Sequence, residues 1–532
     1  MVTEQTERRN TIVLNVSEIA YYLYFSIMVF AKGLGLYEGM WPYAVALLMG
    51  AFFIILKLAL TEHTVAEWLF VLGLSVLGIL VWYNSGEKGA LIYITMIIAM
   101  KNVSLKRLFS IGAVIWGGTF VLMAILTMTG IKSDIFVVHD KLGLGYIIRW
   151  SLGHPHPNVL QIFFMMLCAM ILYLADWKGR KLVYATLIML AANLYIFFYS
   201  VSYTGIILVV IYLLGNLYLS YRKRLNKLEK MLITLVFPAC VTFAVFGPLV
   251  LKGKLWEICN KVLNMRFLVT KIYWENHPIT MFGSYPAEAV PEGFRNIDSS
   301  YVFALMHYGI VVFVLMCVGY MALIRYLLKE QKHKELAICL GMVIAAITEP
   351  FFVNTSFKNI SLLFMGEFLF EYFRKFAESK PEHFLNKTFV LCPVGKKDIE
   401  IPVGKIIQMK EVYVQAALEG KKVIFVGALS IAIIAGMIFA VKADMPEYYY
   451  AVHTSTDMEA EEEYLDINNL PEDFNGKILN YRDPETIMYR IEGNSVTVEY
   501  VRGIVSSGLW CGLFGALLIS GILYMRKKQF KK

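Results

Sequence analysis

Arg149, His154, His156 and Asn158 fall within RWSLGHPHPN (149–158), bounded on both sides by apolar runs. A guanidinium pairs two oxygens of a phosphate or carboxylate and stays charged at any working pH. Imidazole titrates near neutrality and can take a proton from a hydroxyl. His154 and His156 therefore suit base catalysis, and suit equally a structural place at a helix entry, where the ring satisfies a loop carbonyl. A His-x-His pair also ligates metals, but no nearby carboxylate or cysteine completes a ligand set, so no metal and no cofactor is expected. Pro157 and Asn158 open the next apolar run, with proline in its first turn. Three more places carry usable groups. Arg266 lies in the long segment 252–297, Asp298 precedes Ser299, Ser300 and Tyr301, and Tyr203 sits in the tight turn FYSVSYTG (198–205). Each has a plain alternative. An arginine can snorkel to lipid headgroups, an aspartate can cap a helix, and a tyrosine can anchor at a membrane interface.

The elements that must position these groups are membrane helices. Hydrophobic residues make up 58% of the chain and charged residues 17%, with a mean hydropathy of +0.59, more apolar than a soluble core needs. Runs near the length that crosses hydrocarbon recur, and about fourteen candidates emerge by that criterion. The opening MVTEQTERRN lacks a secretory pattern, so the first span is expected to act as the insertion signal. Arg8 and Arg9, Lys101, Lys106 and Arg107, YRKRLNKLEK (221–230), RYLLKEQKHKE (325–335) and the terminal RKKQFKK alternate with loops holding only an isolated Lys32, Lys88 or Lys358. The positive-inside bias then puts both termini in the cytoplasm and the loops 131–156 and 252–297 outside. The formal charge of +9 reports this topology and contact with anionic lipid; nucleic-acid binding is not expected.

The chain divides into three regions. Residues 1–375 form a unit of roughly twelve spans. Residues 376–421 form a polar cytoplasmic linker or small domain with a few short strands. Residues 422–532 form two spans bracketing an acidic outer segment, 443–502, which contains DMEAEEEYLD (457–466) and begins with the Tyr448-Tyr449-Tyr450 anchor. In the outer loop, Leu255, Ile258, Val262, Met265, Val269 and Ile272 recur in steps of three and four, predicting one continuous amphipathic helix in the headgroup layer with Arg266 on its flank.

Four segments, in this order, resemble the Wzy-type O-antigen and capsule repeat-unit polymerases and, more distantly, the O-antigen ligases. They are RWSLGHPHPN, SYTG (202–205), NMRFLVTKIYWENHPITMFGS (264–284) and IDSSYVFALMHYGIVVFVL (297–315). The resemblance covers roughly residues 10–375. It implies an all-α polytopic fold of the second GT-C type, in the bacterial plasma membrane, with metal-independent catalysis on the outer face. Tyr203 stands where the family has an arginine, and the doubled His-Pro leaves open which histidine corresponds. Residues 376–532 fall outside the resemblance; two spans around an outer segment are faintly similar to chain-length regulators.

The implied reaction moves a glycan from undecaprenyl diphosphate to the terminal sugar of a new lipid-linked repeat unit. Its leaving group is already activated, so the protein must stabilise phosphate charge and activate a hydroxyl. Arg266 and Arg149 are then expected on the diphosphate, His154, His156 or Asp298 as the base, and Tyr203, Tyr301 and Asn158 on sugar. Expected partners are the lipid-linked oligosaccharide, membrane lipids, a flippase and a chain-length regulator. Two alternatives remain: a ligase that passes polymer to another acceptor, and a transporter of lipid-linked oligosaccharide. Transporters usually show internal repeats, interrupted spans and buried charge.

Overall fold

A computed structural model describes residues 11–140, 145–393, 397–443, 445–452, 470, 472, 474–479 and 488–530. Arg8, Arg9 and the acidic run DMEAEEEYLD lie outside the described residues. Among the described residues eighteen α-helices form, and ten are long and apolar enough to cross a membrane. The other four expected spans are less simple. Val16–Gly33 is rich in Ser and Tyr and buried among its neighbours, and Ser361–Ser379 carries Glu367 and gathers Glu371, Arg374 and Lys375 in its second half. Gly89–Ile98 and His333–Ala345 have only 10 and 13 residues. At about 1.5 Å per residue neither reaches across hydrocarbon.

An irregular segment, 346–360, continues from His333–Ala345 and contains a single 3-10 turn at Pro350–Phe352. Phe351, Phe352, Phe357 and Ile360 are buried, so its backbone is cut off from water and must be bonded by protein. Side chains do this. Arg266 donates to the Thr348 carbonyl at 2.7 Å, Tyr308 to Val353 at 2.6 Å, Tyr43 to Thr355 at 2.8 Å and Asn359 to Phe352 at 2.9 Å; Tyr93 donates to Phe351 and Ser300 to Glu349. These side chains hold the non-helical segment that carries Glu349 and Lys358.

Pro157–Leu174 is the central helix: 67% of its span is buried, against 6% for Lys421–Lys442 at the periphery. Close approach around it uses small residues. A Cβ on Gly205 would stand 2.2 Å from Gln161, so the SYTG turn packs directly on the central helix. At the end opposite the RWSLGHPHPN loop, polar staples replace apolar packing. Arg107 pairs with Glu18 at 2.9 Å, and Lys57 donates to the Lys101 carbonyl at 2.8 Å. Short strands tie the linker to this end, Asp398–Pro402 pairing antiparallel with Thr11–Asn15 and Thr388–Phe389 with His63–Thr64.

Two expectations are corrected, and one loop gains structure. The 131–156 loop contains an antiparallel hairpin, Phe136–Asp140 with Tyr146–Trp150. Tyr448–Val452 is the middle strand of a three-stranded sheet, and Tyr449 and Tyr450 are buried in packing rather than anchoring at an interface. The continuous amphipathic helix is two helices, Gly253–Val262 and Arg266–Asn276. Asn264 and Met265 between them take φ +52° and +68°, left-handed values that end a helix. The first helix keeps Leu255, Ile258 and Val262 exposed, as a headgroup-layer helix would, while Val269 and Ile272 pack against the core. The break turns Arg266 from a flank position into a buried one.

Candidate functional site

The site grows from three backbone segments at one end of the bundle. The first is the strand Tyr146–Trp150 and the loop after it. Asp134 accepts from Ser151 Oγ at 3.1 Å, from the Gly153 amide at 2.8 Å, and from Tyr199 at 2.7 Å. Leu152 and Gly153 both have positive φ (+51° and +76°), which turns the chain sharply into the His-Pro repeat. The carboxylate therefore fixes the turn between Arg149 and the central helix. Arg149 is buried. Its Nε donates to the Ser200 carbonyl at 3.1 Å and its Nη2 to Asn158 Oδ1 at 2.7 Å. Asn158 Oδ1 also accepts from Ser202 at 3.0 Å, joining the SYTG turn to the arginine.

The second segment is the helix that starts at Arg266, and the third is 346–360. Arg266 is buried with every nitrogen engaged. Nε meets Thr348, Nη1 donates to Leu263 at 2.8 Å, and Nη2 lies 3.0 Å from Asp298 and 3.7 Å from Glu349. Asp298 is half exposed and pairs with the arginine instead of capping the following helix, whose N-cap is Ser299. Glu349 is buried and accepts from Thr204 at 3.4 Å. Arg266, Glu349 and Thr204 thus form one polar chain and Arg149, Asn158 and Ser202 a second, and the 202–204 turn carries both.

Lys358 completes the site. Only 7% of the residue is exposed, its charge is felt at Glu349, His154 and His156, and among the described residues no hydrogen bond or ion pair reaches its ammonium. Burial brings its pKa down to about 8. Lys32, also buried, lies within electrostatic range of Lys358 and stacks over the Tyr43 ring at 3.7 Å. Burial lowers Arg149 to about 10, still protonated near neutrality, and raises Glu349 to about 7 against the pull of Arg266. The site is a cationic well with one tunable carboxyl in its wall.

The two histidines fare differently from the base role expected of them. His154 is fully buried beside Phe163, with ring centroids 4.6 Å apart and neither nitrogen bonded, and burial lowers it to about 3. His156 is the N-cap of Pro157–Leu174, its Nδ1 accepting from the Asn158 amide at 3.1 Å. Burial and Arg149 bring it to about 4. A neutral ring whose Nδ1 accepts carries its proton on Nε2, so His156 is arranged to donate rather than to take a proton.

Tyr301 is fully buried, its hydroxyl donating to the Val343 carbonyl at 2.6 Å, so it belongs to the core and not to a sugar site. Tyr203 opens its helix beside Phe197, within electrostatic range of Arg149. Arg149, His156, Asn158, Arg266 and Asp298 are brought together; Tyr301 is not. Glu349 and Lys358 are the members missed from sequence. The one signal was Lys358 as an isolated cation in a short loop on the side assigned outside. Among the described residues no three His, Cys, Asp or Glu side chains are grouped to share a metal ion.

No protein-family model, curated protein or solved structure matches the chain.

Proposed function

We propose that this protein is a membrane glycosyltransferase that polymerises undecaprenyl-diphosphate-linked repeat units on the outer face of the bacterial plasma membrane. The observation that carries the reading is Lys358, a buried cation with no hydrogen bond or ion pair at its ammonium among the described residues, which shares Glu349 as an electrostatic neighbour with Arg149 and Arg266. A buried charge with no hydrogen-bonded counterion is expensive, and a ligand that brings negative charge relieves it. With Asp298 and Glu349 ionised, Arg149, Arg266 and Lys358 leave a net positive site that suits a diphosphate.

In this mechanism the lipid diphosphate enters against Arg266, Lys358 and Arg149. Its negative charge competes with Glu349 for the same cations and raises the basicity of that carboxylate. The acceptor hydroxyl attacks the anomeric carbon while the bond from that carbon to the phosphate oxygen breaks. Glu349 takes the hydroxyl proton, and the leaving diphosphate keeps the electron pair beside the arginines. Asp298 holds the Arg266 fork in plane, and His156 Nε2–H is a donor for a phosphate or sugar oxygen.

Two outcomes test the placing of individual residues. Asn158→Ala removes the acceptor that orients Arg149 Nη2 and should lower turnover about tenfold with the fold intact, as loss of one charge-assisted hydrogen bond would. Tyr301→Phe should change turnover by no more than about twofold while costing about 1 kcal/mol of stability, read by thermal unfolding.

One observation favours a second reading. The irregular 346–360 backbone with buried Glu349 and Lys358 is the kind of interrupted, charged segment found in secondary transporters, which favours a transporter of lipid-linked oligosaccharide. Incubating the purified chain in nanodiscs with lipid-linked repeat unit decides among the three activities. A product ladder is expected; a single transfer to a second acceptor marks a ligase, and unchanged substrate that crosses liposomes marks a transporter.

A further inference from the structure

The peripheral helix Asn494–Phe530 reaches the site through Arg502 and Glu499. Arg502 is buried; its Nε donates to the Phe198 carbonyl at 3.1 Å and its Nη1 to the Ile148 carbonyl at 3.0 Å, with a second bond to Glu499. Glu499 in turn accepts from Trp150 Nε1 at 2.8 Å. Ile148 and Val138 pack with Tyr449, Ala451, Ile491 and Val496 of the same C-terminal region. Lower in the helix, Trp510 donates to Tyr195 at 2.8 Å, and Tyr195 lies 3.1 Å from Ser506.

These contacts converge on the two neighbours of Arg149. Along a strand, side chains alternate between faces. Ile148 and Trp150 face the C-terminal region, and Arg149 between them faces Asn158 and Ser200. The two arginines also grip the same helix end: Arg149 bonds the Ser200 carbonyl and Arg502 the Phe198 carbonyl, immediately before the turn that carries Ser202 and Thr204. One face of the strand is clamped so that the guanidinium on the other face is fixed in place.

We infer that Arg502, with Glu499 and Trp150, is a positioning residue that sets the placement of Arg149 and of the 201–204 turn, making the C-terminal region part of the site's support. In its catalytic consequence this rests on the glycosyltransferase reading; the clamp itself does not. Among the described residues the hydrogen bonds of Arg502 reach only the hairpin, its own Glu499 and the end of Arg180–Ser200, so its expected effect falls on turnover rather than on the packing of the bundle.

The test uses the full chain in nanodiscs with Arg502→Ala and the milder Trp150→Phe, which breaks the Glu499 contact without removing a charge. Hydrogen exchange, which needs no substrate, should accelerate at least about tenfold at amides 146–150 and 198–204 in both variants and stay unchanged in Pro157–Leu174. Turnover should fall with little change in KM, and Arg502→Ala combined with Arg149→Ala should be no slower than Arg149→Ala alone. Unchanged exchange at 146–150 in either variant, or losses that multiply in the double variant, overturns the inference. Accelerated exchange in both variants, beside a wild type that turns over no substrate, keeps the clamp and rejects the glycosyltransferase reading instead.

Discussion

Arg266→Ala should abolish polymer growth, with turnover down by at least about a hundredfold, the size of effect seen when a preorganised charge at a developing anion is lost. The buried guanidinium is not a snorkelling side chain. Thr348 and Leu263 fix two of its nitrogens and Asp298 and Glu349 orient the third. Truncation also leaves those carboxylates without their cation, so the alanine variant alone would mix lost chemistry with lost packing. Arg266→Lys separates them. It keeps the charge and removes the planar fork, so turnover should stay at least about tenfold down while thermal stability recovers. Long chains made by Arg266→Lys at wild-type rate would remove the arginine from the diphosphate.

The second large effect is on pH dependence. A base works ionised, and Glu349 is pushed up to about 7 by burial. Wild-type kcat/KM, which reports the free enzyme, should therefore rise with pH through about 7 and fall towards a tenfold loss per unit below it. His154 and His156, lowered to about 3 and about 4, remain neutral across that range and contribute no limb. Glu349→Gln should cost about a hundred- to ten-thousandfold, the span expected for a general base, and remove the acid limb while leaving the fall above about 8, where Lys358 loses its proton. A limb near neutrality that survives Glu349→Gln would assign it to another group.

How much of the site is legible in the sequence differs residue by residue. Arg149 and Asn158 announce themselves because a polar cluster opens an apolar run, and proline in the first turn of Pro157–Leu174 agrees with ordinary helix-entry chemistry. Arg266 is legible as a cation in an outer loop but misplaced on a helix flank. A period of three and four runs straight through 255–272, and periodicity carries no trace of two left-handed residues at 264 and 265. Glu349 and Lys358 are hidden for a deeper reason. They lie in a segment that reads as an ordinary connection, and it is drawn into the protein by carbonyl bonds from Tyr43, Tyr93, Tyr308 and Asn359, most of them distant in sequence. Tyr301 misleads in the opposite direction, since an aromatic at a span's mouth usually marks an interface. The C-terminal region reads as an appendage because Arg502 and Ile148 stand 354 positions apart in the chain and meet only through space.

Binding of undecaprenyl diphosphate to the purified chain in nanodiscs, followed by titration, tests the cationic well most directly. Saturable binding is expected for the wild type, weakened at least about tenfold by Lys358→Met, as loss of a charge-assisted contact would do, and unchanged by Lys254→Met, which removes an exposed cation from the neighbouring loop helix. Equal affinity for the wild type and Lys358→Met would contradict the assignment of the well to a lipid diphosphate.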